Sequence, residues 1–218
     1  MRHVFKRGVA VFAISLVTNA LLNAAEDAVA KPPAKPAPAT TDAKQPAPKV
    51  VVGQPAPEFK IKDASGKEID LAELTARGPV LVRLTCGCLG CDKELTYFQE
   101  LHAAYESKGL TSLAVFKEPD AKVEKYVQEK KLNMLYAVDP KGESWKVFET
   151  KTMPTNFLIA KGGKIINIAA GCDPSGLLAT KLSEKVAGLV DAEKVDVKAR
   201  VEAKQQAKPE AKPADKKD

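Results

Sequence analysis

Residues 79–85, PVLVRLT, and the stretch that follows them constrain the fold more than any other part of the chain. A near-continuous apolar run of this length, ended by Cys-Gly, reads as a strand buried on both faces. CDKELTYFQELHAAYESKG (91–109) then changes to helical spacing, with Leu95, Phe98, Leu101 and Tyr105 on one side and Gly109 as a stop. The alternation continues through a strand at 110–116, a helix at 119–132 opened by Pro119, a short strand at 134–139 and a helical turn at 143–149. TNFLIA (155–160) and KIINIAAG (164–171) flank Lys161-Gly162-Gly163 and predict a β-hairpin. A last helix, carrying Leu178, Leu182, Val186 and Leu189 at helical spacing, begins after Asp173-Pro174. This order implies an α/β fold of three layers, α/β/α, around a central mixed sheet with helices on both faces. The crossover lengths favour parallel strands in its first half.

The ends of the chain have a different character. Arg2, Lys6 and Arg7 precede the apolar run GVAVFAISLVTNALL, and small residues offer cleavage after Ala25 or after Ala30. That is the pattern of a secretory signal peptide over 1–30. An uncleaved membrane anchor is the alternative, but the run is short for a span and is interrupted by Thr18, Asn19 and Asn23. Residues 31–49, rich in Pro, Ala and Lys, predict an extended linker. Residues 50–190 are then the folded domain, and 191–218 a charged tail predicted to be disordered. Export to the periplasm or another extracytoplasmic space follows. The net charge of +6 is dispersed among many acidic residues with little aromatic interleaving, which argues against nucleic-acid binding.

Three cysteines fall within TCGCLGCDKE, residues 85–94. Cys86 and Cys88, with one residue between them, would make a strained disulfide. Cys88 and Cys91 form a Cys-x-x-Cys at a strand–helix junction. There the helix N-terminus stabilises the Cys88 thiolate, the attacking species, and Cys91 one turn on can resolve a mixed disulfide. A closed zinc site needs about four ligands, and Cys86, His102 and Cys172 lack the paired spacing to complete one. No resident cofactor or metal is expected. Pro154 in TMPT, just before a strand, suits either a cis peptide bond or a rigid turn.

Together these motifs resemble the thioredoxin superfamily, and within it the exported TlpA/ResA-like proteins and related redoxins. VGQPAPEFKIKDASGKEIDLAEL, PVLVRLTCGCLGCDKEL and YAVDPKGESWKVFETKTMPTNFLIAKGGKI carry the resemblance, from about Val52 to Leu189. It implies a thiol–disulfide oxidoreductase acting on exported protein thiols and disulfides. Cys88 would attack, Cys91 resolve, and Pro154 stand as the cis-proline facing them. Met153 and Thr155 would hold the substrate's backbone. Glu94 falls where the family often has an acidic residue, although a carboxylate is also favourable in any early helical turn. Cys172, at the end of the hairpin, would lie at the rim as a further redox candidate. Cys86, at the end of its strand, can pack inside or face the site, with packing the default because free cysteine is commonly buried.

The chain departs from the family at two points. Gly87 replaces the usual aromatic residue before the first cysteine, and Val82 replaces a polar group beneath the site, leaving water or Glu94 to take the Cys91 proton. A peroxiredoxin is the first alternative: Thr85 is correctly placed three residues before Cys88, but no Arg occurs between Arg83 and Arg200. A Cu(I) carrier using Cys88, Cys91 and Met153 is the second. A monomer is expected, with a membrane-linked electron donor if the direction is reductive.

Overall fold

The computed structural model describes residues 49–207. The segment expected to be a signal peptide, most of the expected linker and the last residues of the expected tail therefore lie outside the described residues.

Five strands form the central sheet in the order β5-β4-β3-β6-β7: β3 (Val80–Thr85), β4 (Thr111–Phe116), β5 (Leu135–Val138), β6 (Thr155–Ile159) and β7 (Ile165–Ala170). β3 is parallel to β4 and β4 to β5, whereas β6 runs antiparallel to both β3 and β7. The expected hairpin turns at Gly162 and Gly163, with φ of 86° and 89°. Only glycine enters that left-handed region freely at two successive positions.

α2 (Leu89–Tyr105) links β3 to β4 and starts two residues earlier than its apolar spacing suggests. A 3₁₀ turn, Glu106–Lys108, and Gly109 at φ 103° close it. α3 (Asp120–Lys130) and the one-turn α4 (Glu143–Val147) match the expected helical segments, and α5 (Leu177–Leu189) closes the predicted domain. A small antiparallel pair, β1 (Lys60–Lys62) with β2 (Glu68–Asp70), and the short α1 (Leu71–Arg77) precede β3.

The period-two alternation of β3 decides what each of its residues meets. Val80, Val82 and Leu84 join Phe59, Trp145, Phe148 and Phe157 on one face. Leu81 joins Phe98, Leu101, Tyr105, Leu182 and Val186 on the other, beneath α2 and α5. Arg83 follows Leu81 onto that helix-covered face, where a charge survives only with a partner.

One boundary needs correction. The segment after residue 190 is not wholly a disordered tail, because α6 (Val197–Gln206) packs on α2 and α5 and buries Val197 and Val201. Asp196 caps it by accepting from the Ala199 N–H at 2.9 Å, and Glu100 of α2 pairs with Arg200 and Lys204. Averaged composition hid two apolar residues at i, i+4, which suffice once a waiting surface exists.

Candidate active site

The end of β3 and the start of α2 gather three free thiols. Cys91, buried on the first turn, has Cys86 at 3.3 Å and Cys88 at 3.4 Å between sulfurs, and all three sulfurs lie within 4.8 Å of one another. Cys88 is exposed and occupies the helix N-cap in extended backbone (φ −76°, ψ 159°). Cys86 is half-buried and belongs to this cluster, so of its two expected placements it takes the one facing the site and not the default of packing inside.

The cluster separates the thiols electrostatically. The Cys86 thiol, donating to Cys88, holds the Cys88 thiol below its ordinary range; the Cys91 and Gly90 backbone N–H groups add to this, and desolvation opposes it. Burial pushes Cys86 strongly upward, and its donation to Cys88 reinforces the shift. The exposed sulfur is thus the one whose thiolate is favoured, beside a neighbour whose thiol form is favoured. The Glu118 side chain accepts the Gly87 N–H at 2.7 Å and fixes the Cys86-Gly87-Cys88 segment. A Cβ on Gly87 would already touch the Tyr126 ring at 3.5 Å, so Tyr126 occupies space next to this position.

Glu94 is fully buried, unlike a carboxylate placed only to favour a helical turn. Its Oε2 accepts from Arg83 at 2.7 Å and its Oε1 accepts the Asp173 N–H at 3.1 Å. Arg83 also donates to Asn156 Oδ1 at 2.9 Å and lies over the Phe98 ring at 4.3 Å. Glu94 thereby ties α2 to the centre of the sheet and to the loop after β7. Sequence reasoning did not select Arg83 or Asn156, although a lone cation inside PVLVRLT was a sign of a buried partner.

The loop after β7 brings Cys172 to the rim, where its thiol donates to the Gly90 carbonyl at 2.9 Å. It stays outside the three-sulfur cluster, and burial raises its pKa, with Glu94 and Cys91 adding to the effect. The Met153–Pro154 peptide is cis. Neither the N–H nor the C=O of Met153 is hydrogen-bonded among the described residues, whereas the Pro154 carbonyl already accepts the Gly171 N–H. Thr155, expected to touch substrate, is instead fully buried; its strand pairs on both sides and its hydroxyl donates to Thr152 O. Only Met153 keeps the open main chain.

A sheet of this order with cysteines at the β3–α2 junction defines a thioredoxin-like oxidoreductase. The chain belongs to the AhpC/TSA family, which matches it over residues 52–168, and it is a ResA/TlpA-like redoxin. It is 35% identical over 124 residues to the thiol-disulfide oxidoreductase ResA of Bacillus thuringiensis, covering 56% of this chain and 72% of that one. Among solved structures, a protein from Chlorobium tepidum described as a DsbE thiol:disulfide interchange protein aligns with a TM-score of 0.59 at 24% identity, over 64% of this chain and 98% of its own. A thiol:disulfide interchange protein from a Bacteroides species aligns with a TM-score of 0.54 at 23% identity, over 63% and 91%. These two likenesses support the fold. Among the described residues, no helix is long and apolar enough to cross a membrane.

Proposed function

We propose that the chain is an exported thiol–disulfide oxidoreductase that exchanges disulfides with protein clients through Cys88 and Cys91. The observation that carries this reading is the contrast between an exposed Cys88, whose thiol is held below its ordinary range, and a buried Cys91 only 3.4 Å away. In the reductive direction the Cys88 thiolate attacks a client disulfide, forming a mixed disulfide and releasing one client thiolate. Cys91 then loses its proton and attacks Cys88 Sγ, which closes the Cys88–Cys91 disulfide and frees the second client thiolate. Two electrons pass from the protein thiols to the client, and the oxidative direction is the reverse. Met153, with unpaired main-chain groups beside cis-Pro154, holds the client strand during exchange.

Glu94 acts as a positioning residue, since both of its oxygens are already bound. The same arrangement weighs against a dedicated peroxidase: Arg83, the nearest arginine in sequence, is engaged by Glu94 and Asn156 and is not free to polarise a peroxide. Residues 1–30 would direct export, and a reductase in that compartment needs a membrane-linked donor. Cys172 is a secondary redox candidate at the rim.

Trapping tests the reading. Incubated with oxidised insulin, a Cys91→Ser variant should accumulate a mixed disulfide through Cys88, and the parent should instead close Cys88–Cys91. A cross-link through Cys172, or none, would sink the assignment. Glutathione titration then sets the direction: a potential of roughly −270 mV indicates a reductase and one of roughly −120 mV an oxidase.

A further inference from the structure

We propose that the reduced Cys86, Cys88 and Cys91 sulfurs form a three-coordinate Cu(I) site. Cys91 Sγ lies 3.3 Å from Cys86 Sγ and 3.4 Å from Cys88 Sγ, and the third side of the triangle does not exceed 4.8 Å. The angle at Cys91 is therefore no wider than about a right angle. That shape is wrong for handing a disulfide from Cys88–Cys91 to Cys86, because an attacking thiolate enters opposite the sulfur that leaves.

It is right for a metal. One ion can reach all three sulfurs of such a triangle at roughly 2.3–2.4 Å, close to the metal–thiolate bond length of about 2.3 Å seen for zinc. Thiolates select soft ions, Cu(I) and zinc among them. Zinc in a structural site requires a fourth ligand. Among the described residues no further cysteine, histidine or carboxylate joins the cluster: Cys172 is turned to the Gly90 carbonyl and Glu94 is committed to Arg83. Three sulfurs and no fourth donor favour Cu(I).

The surroundings support an ion held by thiolates. The positive end of α2 offsets part of the added negative charge. Exposed Cys88 offers the point of entry and buried Cys91 the shelter. Binding displaces the remaining thiol protons to solvent, and no electron moves: copper stays Cu(I) and the sulfurs stay reduced. Bound copper and a Cys88–Cys91 disulfide exclude each other, so copper loading silences disulfide exchange. The site differs from a Cys88, Cys91 and Met153 set, because Cys86 supplies the third sulfur while the Met153 side chain packs against the core that holds Val80, Val82 and Leu84.

The full chain, reduced anaerobically with a non-thiol reductant, is titrated with Cu(I) against the chromophoric chelator bicinchoninate and then alkylated and mapped by mass spectrometry. One copper per chain should be retained, with Cys86, Cys88 and Cys91 protected and Cys172 labelled. Cys86→Ser should lose copper to the chelator at least tenfold more readily, and Cys172→Ser should match the parent. Labelling of Cys86 in the copper-loaded parent as fast as in the metal-free protein overturns the proposal without reliance on any variant. Undiminished copper retention by Cys86→Ser, or better protection by Zn(II) than by Cu(I), overturns it equally.

Discussion

Replacing Glu94 by Ala removes one half of a buried ion pair and leaves the other half in place. Arg83 would keep its bond to Asn156 Oδ1 and its contact with the Phe98 ring, but its guanidinium, only 2% exposed, would have no counter-charge. Stranding a buried charge in this way costs about 3–5 kcal/mol. The Asp173 N–H loses its acceptor as well, which loosens the loop that holds Cys172. A domain of this size has about 5–15 kcal/mol of stability in total, so the variant should fold but sit close to its limit. At about 2–4 °C per kcal/mol, the melting temperature should fall by about 6–20 °C. Urea unfolding followed by the fluorescence of the single Trp145 measures the change directly. The double variant Arg83→Met, Glu94→Leu removes both charges and should recover most of the loss, since exchanging a buried pair for apolar residues is often neutral or stabilising. A loss under about 1 kcal/mol in Glu94→Ala would refute the assignment of Arg83 and Glu94 as a desolvated pair.

Further predictions concern the thiols, His102 and the last helix. Alkylation of Cys88 by iodoacetamide should reach half-maximal rate below the pH typical of cysteine. Cys86→Ala should move that midpoint upward, because the largest stabiliser of the Cys88 thiolate is lost, and Cys86→Ser should partly restore it; identical midpoints in all three proteins would remove Cys86 from this role. Burial holds His102 below its usual 6.5, with Glu106 opposing. The unfolded chain therefore binds more protons in the window below pH 6.5, so this contribution to stability is present above 6.5 and is lost as pH falls through the lowered folded value. His102→Gln should flatten stability across that window, as chemical unfolding at a series of pH values would show. Truncation after Val190 unseats Val197 and Val201, each worth about 1.5–3 kcal/mol of burial, and should lower the unfolding midpoint clearly; an unchanged midpoint would mean that α6 is dispensable.

Much of the architecture is legible in short stretches of the chain. Apolar runs such as VLVRLT and the helical spacing of Leu95, Phe98, Leu101 and Tyr105 specify their elements locally, because strand and helix periods differ and each must bury one face. The Cys-x-x-Cys at a strand–helix junction and the Gly-Gly turn are equally local signals. The three-dimensional assembly decided the rest. Whether Arg83 is a liability or an anchor depends on Glu94 and Asn156, which are 11 and 73 residues away along the chain. Thr155 had the right place in the motif, yet two flanking strands bury it and leave only Met153 open. Val197 and Val201 look incidental in a charged segment until α2 and α5 present the surface that receives them. Cys86 becomes the third member of a sulfur triangle only when strand and helix turn its thiol towards Cys91. Spacing along a chain reports the contacts a residue makes within its own element. Burial of a charge, closure of a sheet edge and the meeting of three sulfurs are non-local, and only the folded chain brings those partners within a few ångströms.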